Sequence, residues 1–252
     1  MTRISALTVS LILALCMAGV GRATENPMSA AEARTVNPAA IFADPHAIQL
    51  AEAIVDGDTA RIRALAAGAD LSVRGDKHVT LLQWALLNKR LDSLKALLDA
   101  GADPLQPGMD GDTVVHMAAM ANDPAYLAEL LARRVDPNVA NANTGAGPLR
   151  SALMGERAEQ FHALLAAGAD PDMPDRMGNT PLHVAGQINE PARALELLEA
   201  GADPMARNAQ GVTFQRYLFM TRAALLNAET RRQREAVEAW LTAHGIAVEG
   251  TR

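Results

Sequence analysis

The sequence predicts an all-α solenoid of stacked helix-turn-helix units. Three observations carry that prediction. Gly-Ala-Asp recurs at Gly68, Gly101, Gly168 and Gly201, with Arg134-Val135-Asp136-Pro137 as a degenerate copy, at spacings of 33, 33, 34 and 33 residues. A second ladder of Thr80, Thr113, Gly147, Thr180 and Thr213 keeps spacings of 33, 34, 33 and 33. Between the two ladders, apolar residues recur at helical spacing, with a start signal before them and a stop signal after. Two independent marks sharing one period mean units that stack, because no single unit can bury its own apolar face.

The chain begins with an export pattern. Arg3 gives a short basic start, Ile4 to Gly21 is mostly apolar, and Gly19, Gly21 and Ala23 are small. Residues 1–23 read as a signal peptide cut after Ala23. Two other readings stay open. An uncleaved anchor is one, since the run is near the ~18-residue lower limit for a span. Lipidation of Cys16, the sole cysteine, is the other, although Leu15 fits poorly before it. Cleavage after Ala23 leaves no cysteine, hence neither disulfide nor thiol chemistry. Residues 24–46, with Pro27, Pro38 and Pro45, read as a linker or N-terminal arm whose Ile41 and Phe42 tuck onto the first unit.

The clearest unit starts at Thr180-Pro181-Leu182-His183-Val184-Ala185. Thr180 is a helix cap and Pro181 suits the first helical position. A second helix runs from Ala192 through Leu195, Leu197 and Leu198 to Gly201-Ala202-Asp203-Pro204, a stop followed by a turn. Thr80 to Ala85 and Thr113 to Ala118 repeat the start, and Gly147 to Ala152 is a weaker copy. Paired leucines at Leu97/Leu98, Leu130/Leu131, Leu164/Leu165 and Leu197/Leu198 close each second helix.

These residues resemble the ankyrin repeat, whose pattern is Thr-Pro-Leu-His-x-Ala, a second helix ending in paired leucines, then Gly-Ala-Asp and a finger. The resemblance covers residues 47–247 and implies about six repeats including degenerate caps: 47–75, 76–108, 109–141, 142–175, 176–208 and 209–247, with 248–252 as a tail. The terminal repeats depart from the pattern because each must show a polar outer face. In the first, Glu52, Asp56, Asp58, Arg61 and Arg63 fall on the solvent side. In the last, the stop at His244-Gly245-Ile246 comes 44 residues after Gly201, so 11 extra residues lengthen its helices or their connection. Phe214, Tyr217, Phe219 and Trp240 gather there, as seals for the open end of the core. Arg231, Arg232 and Arg234, interleaved with Glu229 and Glu235, read as a solvated capping helix or as a patch for an acidic partner.

Composition narrows the function. Aromatics are 3% of residues while 49% are hydrophobic, so small and aliphatic side chains build closely packed helices. Acidic residues outnumber basic ones, 29 to 23, which argues against a nucleic-acid partner. No G-x-S-x-G, phosphate loop or His-Glu-x-x-His occurs, and residues 24–252 contain four serines. His116 and His183 take the motif position whose implied role is to tie the tight turn to the Thr hydroxyl, not to bind metal. Asp110, Asp112, Asp170, Asp172 and Asp175 read as turn chemistry, since Pro174 fills a position that a calcium loop needs for a ligand. A non-catalytic protein without cofactor, metal or small-molecule substrate is the expectation. A hydrolase using the acidic fingers is the remote alternative.

The resemblance further implies a concave face lined by first helices and fingers. It presents the residue after the His position and the one three further on: Trp84 and Leu87, Met117 and Met120, Ser151 and Met154, Val184 and Gln187, Tyr217 and Met220. Met109 and Met177 join from the fingers, and Arg150 replaces the motif His. Exposed contiguous apolar area marks interaction sites, and methionine adapts its shape to a partner. The alternative is that Met117, Met120 and Met154 pack between helices. Around Asn141 to Ala146 the repeat is least regular, from drift or from a finger reshaped for a partner. The expectation is an exported protein of the bacterial periplasm, a monomer when free, that binds a protein partner on this face. The partner is a toxin or effector such as a lipase, neutralised by an immunity protein; the alternative is a periplasmic enzyme protected under stress. Membrane contact is expected only through a retained or lipidated N-terminal segment.

Overall fold

The computed structural model describes residues 36–249. The readings made on residues 1–23, including Cys16, lie outside them, as does most of the N-terminal arm. Twelve α-helices follow in chain order: α1 Pro45–Asp56, α2 Thr59–Ala66, α3 Leu81–Leu87, α4 Leu91–Asp99, α5 Val114–Met120, α6 Ala125–Ala132, α7 Pro148–Met154, α8 Ala158–Ala166, α9 Pro181–Gln187, α10 Pro191–Glu199, α11 Gln215–Leu218 and α12 Ala228–Ala243. The odd-numbered helices pack side by side as an inner layer and the even-numbered ones as an outer layer. Helices of seven to nine residues are too short to persist alone in water. Each is held by its partner and by the next repeat. One continuous core runs between the layers, with Leu50, Leu82, Val115, Leu149 and Leu182 from the inner helices and Ile62, Leu97, Leu130, Leu164 and Leu197 from the outer ones.

The two sequence ladders have separate physical causes. Gly68, Gly101, Gly168 and Gly201 follow the outer helices with φ of 75°, 93°, 88° and 96°, left-handed values open to glycine. Arg134 adopts the same conformation at φ 59° in the degenerate copy, at a cost of about 1 kcal/mol. The Asp that follows each time turns the chain. Its Oδ1 accepts the backbone N–H two residues on, at 2.9 Å from Ser72, 2.8 Å from Leu105 and Asn138, 2.9 Å from Asp172 and 2.8 Å from Met205. Among the described residues no strand forms, and each finger closes on a backbone bond such as Gly108 N–H to the Asp112 carbonyl at 2.8 Å. Adjacent fingers are joined tip to tip by Ala142 N–H to Gly111 O, Arg176 N–H to Thr144 O and Ala209 N–H to Met177 O, at 2.8, 2.7 and 2.8 Å.

The two ends are built differently. Phe42 is buried edge-on against Trp84, with ring centroids 5.8 Å apart, so the arm seals the first inner helices. At the other end the extra residues go to both places the sequence allowed. The loop from Phe219 to Asn227 takes nine residues where the four repeats before it use three or four, and α12 runs 16 residues. Phe214, Phe219, Val237 and Leu241 are buried there. Val248 and Glu249, placed by sequence in a tail, return to the last repeat: Gln215 accepts Glu249 N–H at 2.9 Å and donates to Ala247 O at 3.3 Å.

Candidate protein interface on the inner face

Three inner helices, α3, α5 and α9, begin with a polar clasp that also reaches the next repeat. In α9 the Thr180 N–H donates to His183 Nδ1 at 3.2 Å, and the Thr180 hydroxyl lies 2.9 Å from the same atom. His183 Nε2 then donates to Val212 O at 3.0 Å, one repeat on. His116 does the same, with Thr113 at 3.2 and 3.0 Å and Ala146 O at 3.0 Å. Because a backbone N–H points at Nδ1, the proton of each neutral ring sits on Nε2. Gln83 performs the same task with an amide. Its Oε1 accepts Thr80 and Met109 N–H, both at 3.1 Å, and its Nε2 donates to Asp112 O at 2.8 Å. Burial holds both imidazoles below the ordinary histidine value. Burial also pushes the Asp112 carboxyl up, against the pull of His116 and of Asn141, which donates to it.

The clasp is missing at α7. Gly147 has no hydroxyl, and Arg150 makes no side-chain hydrogen bond to the next finger among the described residues; its Nε is enclosed without a partner. A Cβ on Gly147 would lie 2.6 Å from Met173 Sδ, so the flexible methionine side chain would have to shift to admit one. On the outer layer of the same junction, α8 and α10 approach less closely than any other adjacent outer pair. A cavity of about 220 Å³ opens between them, lined by Leu153, Glu156, Arg157, Phe161, Glu190 and Arg193. Polar groups bridge the gap instead: His162 Nε2 meets Glu196 Oε2 at 3.0 Å, and the Arg193 guanidinium stands 5.3 Å from the Phe161 ring centre.

The expected stripe divides by position. The residue directly after the His position is turned toward the preceding helix, so the exposure expected of Trp84 is corrected. Trp84 is 2% exposed and its Nε1 donates to Ala51 O of α1 at 3.2 Å. Val184 and Ser151 are buried as well, and Met109 is buried at the base of its finger beside Gln83. Met117 and Tyr217 are half-buried, with the Tyr217 hydroxyl accepting from Asn208 Nδ2 at 2.8 Å. The position three further on faces out. Met154 is 47% and Met220 70% exposed, Gln187 is exposed, and Leu87 and Met120 are half-buried. Met177 is 52% exposed on its finger, and Arg150 is half-buried between the two sets. The structure therefore leaves Leu87, Met120, Met154, Met177, Gln187 and Met220 as surface, backed by Met117, Arg150 and Tyr217. Sequence reasoning missed Leu225, 76% exposed in the long loop, because the repeat pattern has no position for it.

The finger carboxylates are occupied in turns. Asp175 Oδ1 accepts N–H from Met177 and Asn179, both at 2.8 Å, and Asp172 accepts Asp203 N–H at 2.9 Å. Among the described residues no group of three or more His, Cys, Asp or Glu is arranged to hold a metal ion.

A family model for ankyrin repeats, in three copies, matches residues 115–208. Protein PhlB of Serratia liquefaciens is 50% identical over 142 residues, covering 56% of this chain and 63% of that protein. The human NF-kappa-B inhibitor alpha is 35% identical over 91 residues, covering 34% and 28%. The chain thus spans less than two thirds of the length of either relative. The crystal structure of EF0377, an ankyrin repeat protein, superposes with a TM-score of 0.62 at 23% identity, over 76% of this chain and 96% of that one; this likeness is one of fold.

Proposed function

We propose that this chain, whose residues 115–208 match the ankyrin repeat model, is an exported immunity protein that binds and neutralises a secreted effector, a lipase among the candidates, on its inner face. The ankyrin stack is a protein-interaction scaffold, generally non-catalytic. Its mechanism here is rigid complementarity: the buried clasps fix the curvature, and the exposed side chains meet the partner. The observation that carries the reading is the row of methionines on that face, with Met154 and Met177 about half exposed. Apolar side chains held open on a preformed backbone gain by leaving water, and methionine adapts its shape to what it meets. The apolar segment from Ile4 to Gly21 supports export to the periplasm.

Two measurements test this. A strain lacking the gene should become sensitive to effectors delivered by neighbouring cells; a strain that stays resistant sinks the immunity role. Met154→Glu with Met177→Glu should weaken capture of the partner from periplasm at least tenfold with melting unchanged. Equal capture by wild type and variant removes the inner-face stripe. A resident periplasmic enzyme as the captured protein favours stress protection over immunity.

A further inference from the structure

The nine-residue loop between α11 and α12 serves no purpose that the repeat requires. Three or four residues join the inner and outer helix in the four repeats before it. Lys89, Glu156 and Asn189 make three of those turns at φ of 57°, 55° and 56°. The loop instead carries the two most exposed large apolar side chains among the described residues, Leu225 at 76% and Met220 at 70%. Ala223 and Ala224 between them are also exposed.

Charge is segregated around it. From Arg207 to Arg234 the chain has six arginines and one glutamate, although the whole chain has 23 basic and 29 acidic residues. That glutamate, Glu229, is paired with Arg232. Arg216 and Arg222 are exposed and make no salt bridge among the described residues.

Two arginines of α12 hold the loop from beneath, which corrects the expectation of a merely solvated helix. Arg231 donates to the carbonyls of Ala223 at 3.3 Å and Leu226 at 3.2 Å. Arg234 donates to the carbonyls of Thr221 and of Phe219, the latter at 3.3 Å, and lies 4.7 Å from the Phe219 ring centre. The backbone carbonyls of Phe219, Thr221, Ala223 and Leu226 are thus satisfied from within the protein. Fewer carbonyls are then left to pair when the segment leaves water, where an unpaired one is costly.

We propose that this loop docks the protein on an anionic lipid bilayer. Leu225 and Met220 enter the interface, and Arg216 and Arg222 meet the lipid phosphates. An exposed apolar tip, with exposed Arg216 and Arg222 on either side of Met220 in the chain, suits a bilayer, which yields to a knob; a folded protein would need a matching pocket. The assignment is independent of the inner-face partner and of residues 4–21.

Vesicle sedimentation tests it with the full chain. Wild type and the double variant Met220→Glu, Leu225→Glu are compared on phosphatidylcholine vesicles with and without phosphatidylglycerol. The two proteins share the same N-terminal segment, so any difference between them belongs to the loop. Wild type should bind the anionic vesicles at least tenfold more tightly than the variant, and more tightly than pure phosphatidylcholine. That preference should shrink as salt is raised. Arg216→Glu with Arg222→Glu should erase the preference while leaving the helical signal intact. Equal sedimentation of wild type and both variants overturns the proposal. So does indifference to lipid charge. Loss of protein-partner capture in the Leu225 variant, with no lipid effect, overturns it as well and gives the loop to a protein.

Discussion

At the scale of single residues, the clasps make stability depend on pH. His116 and His183 are kept below 6.5 by burial. Below 6.5 the unfolded chain takes up protons that the folded chain refuses. Stability is therefore full above 6.5 and falls as pH drops toward the lowered folded values. Gln83 shows that an amide fills the same position. His116→Gln with His183→Gln should fold and lose the acid slope in the window just below pH 6.5. Urea midpoints at both ends of that window decide it: an unchanged slope in the variant refutes the clasp as its source. The tie between Thr and His was implied by the ankyrin resemblance of the sequence; the further bond from each imidazole to the next repeat was not. Nor was the burial of Trp84. Which way that ring points is set by how closely α1 approaches α3, and no spacing along the chain encodes that distance.

At the scale of elements, contact between helices overrides their intrinsic preferences. Alanine favours a helix over glycine by about 1 kcal/mol. Yet a Cβ on Gly186 in α9 would stand 2.8 Å from Phe214 O and 3.3 Å from Leu218 N, both backbone atoms that cannot swing aside. Gly186→Ala should destabilise by about 1–3 kcal/mol, read as a lower urea midpoint. A neutral or stabilising result would mean that α9 and α11 part freely. The last repeat shows what element reading leaves open. Its 11 additional residues were countable in the sequence, and its aromatics foretold a seal. Their division between a long loop and a long helix was not, because it depends on Arg231 and Arg234 finding the loop carbonyls.

At the scale of the whole molecule, each repeat touches only its neighbours, so damage should stay local. Leu241→Ala empties a fully buried site where α12 packs on α10. It should cost about 2–5 kcal/mol locally. Hydrogen exchange should quicken in α9 to α12 and keep its wild-type rates in α1 to α4; uniform acceleration would show a single cooperative unit. The architecture was the most legible layer, since 33-residue periodicity survives even where the motif decays, as at Gly147 and Arg150. That decay has a mechanical meaning. With no clasp from Arg150, α8 and α10 apart and a cavity between them, this junction is the least tightly held in the stack. The clasped repeats on either side present their side chains in fixed register, and a partner that spans the junction adds the cross-link between them that Arg150 does not make.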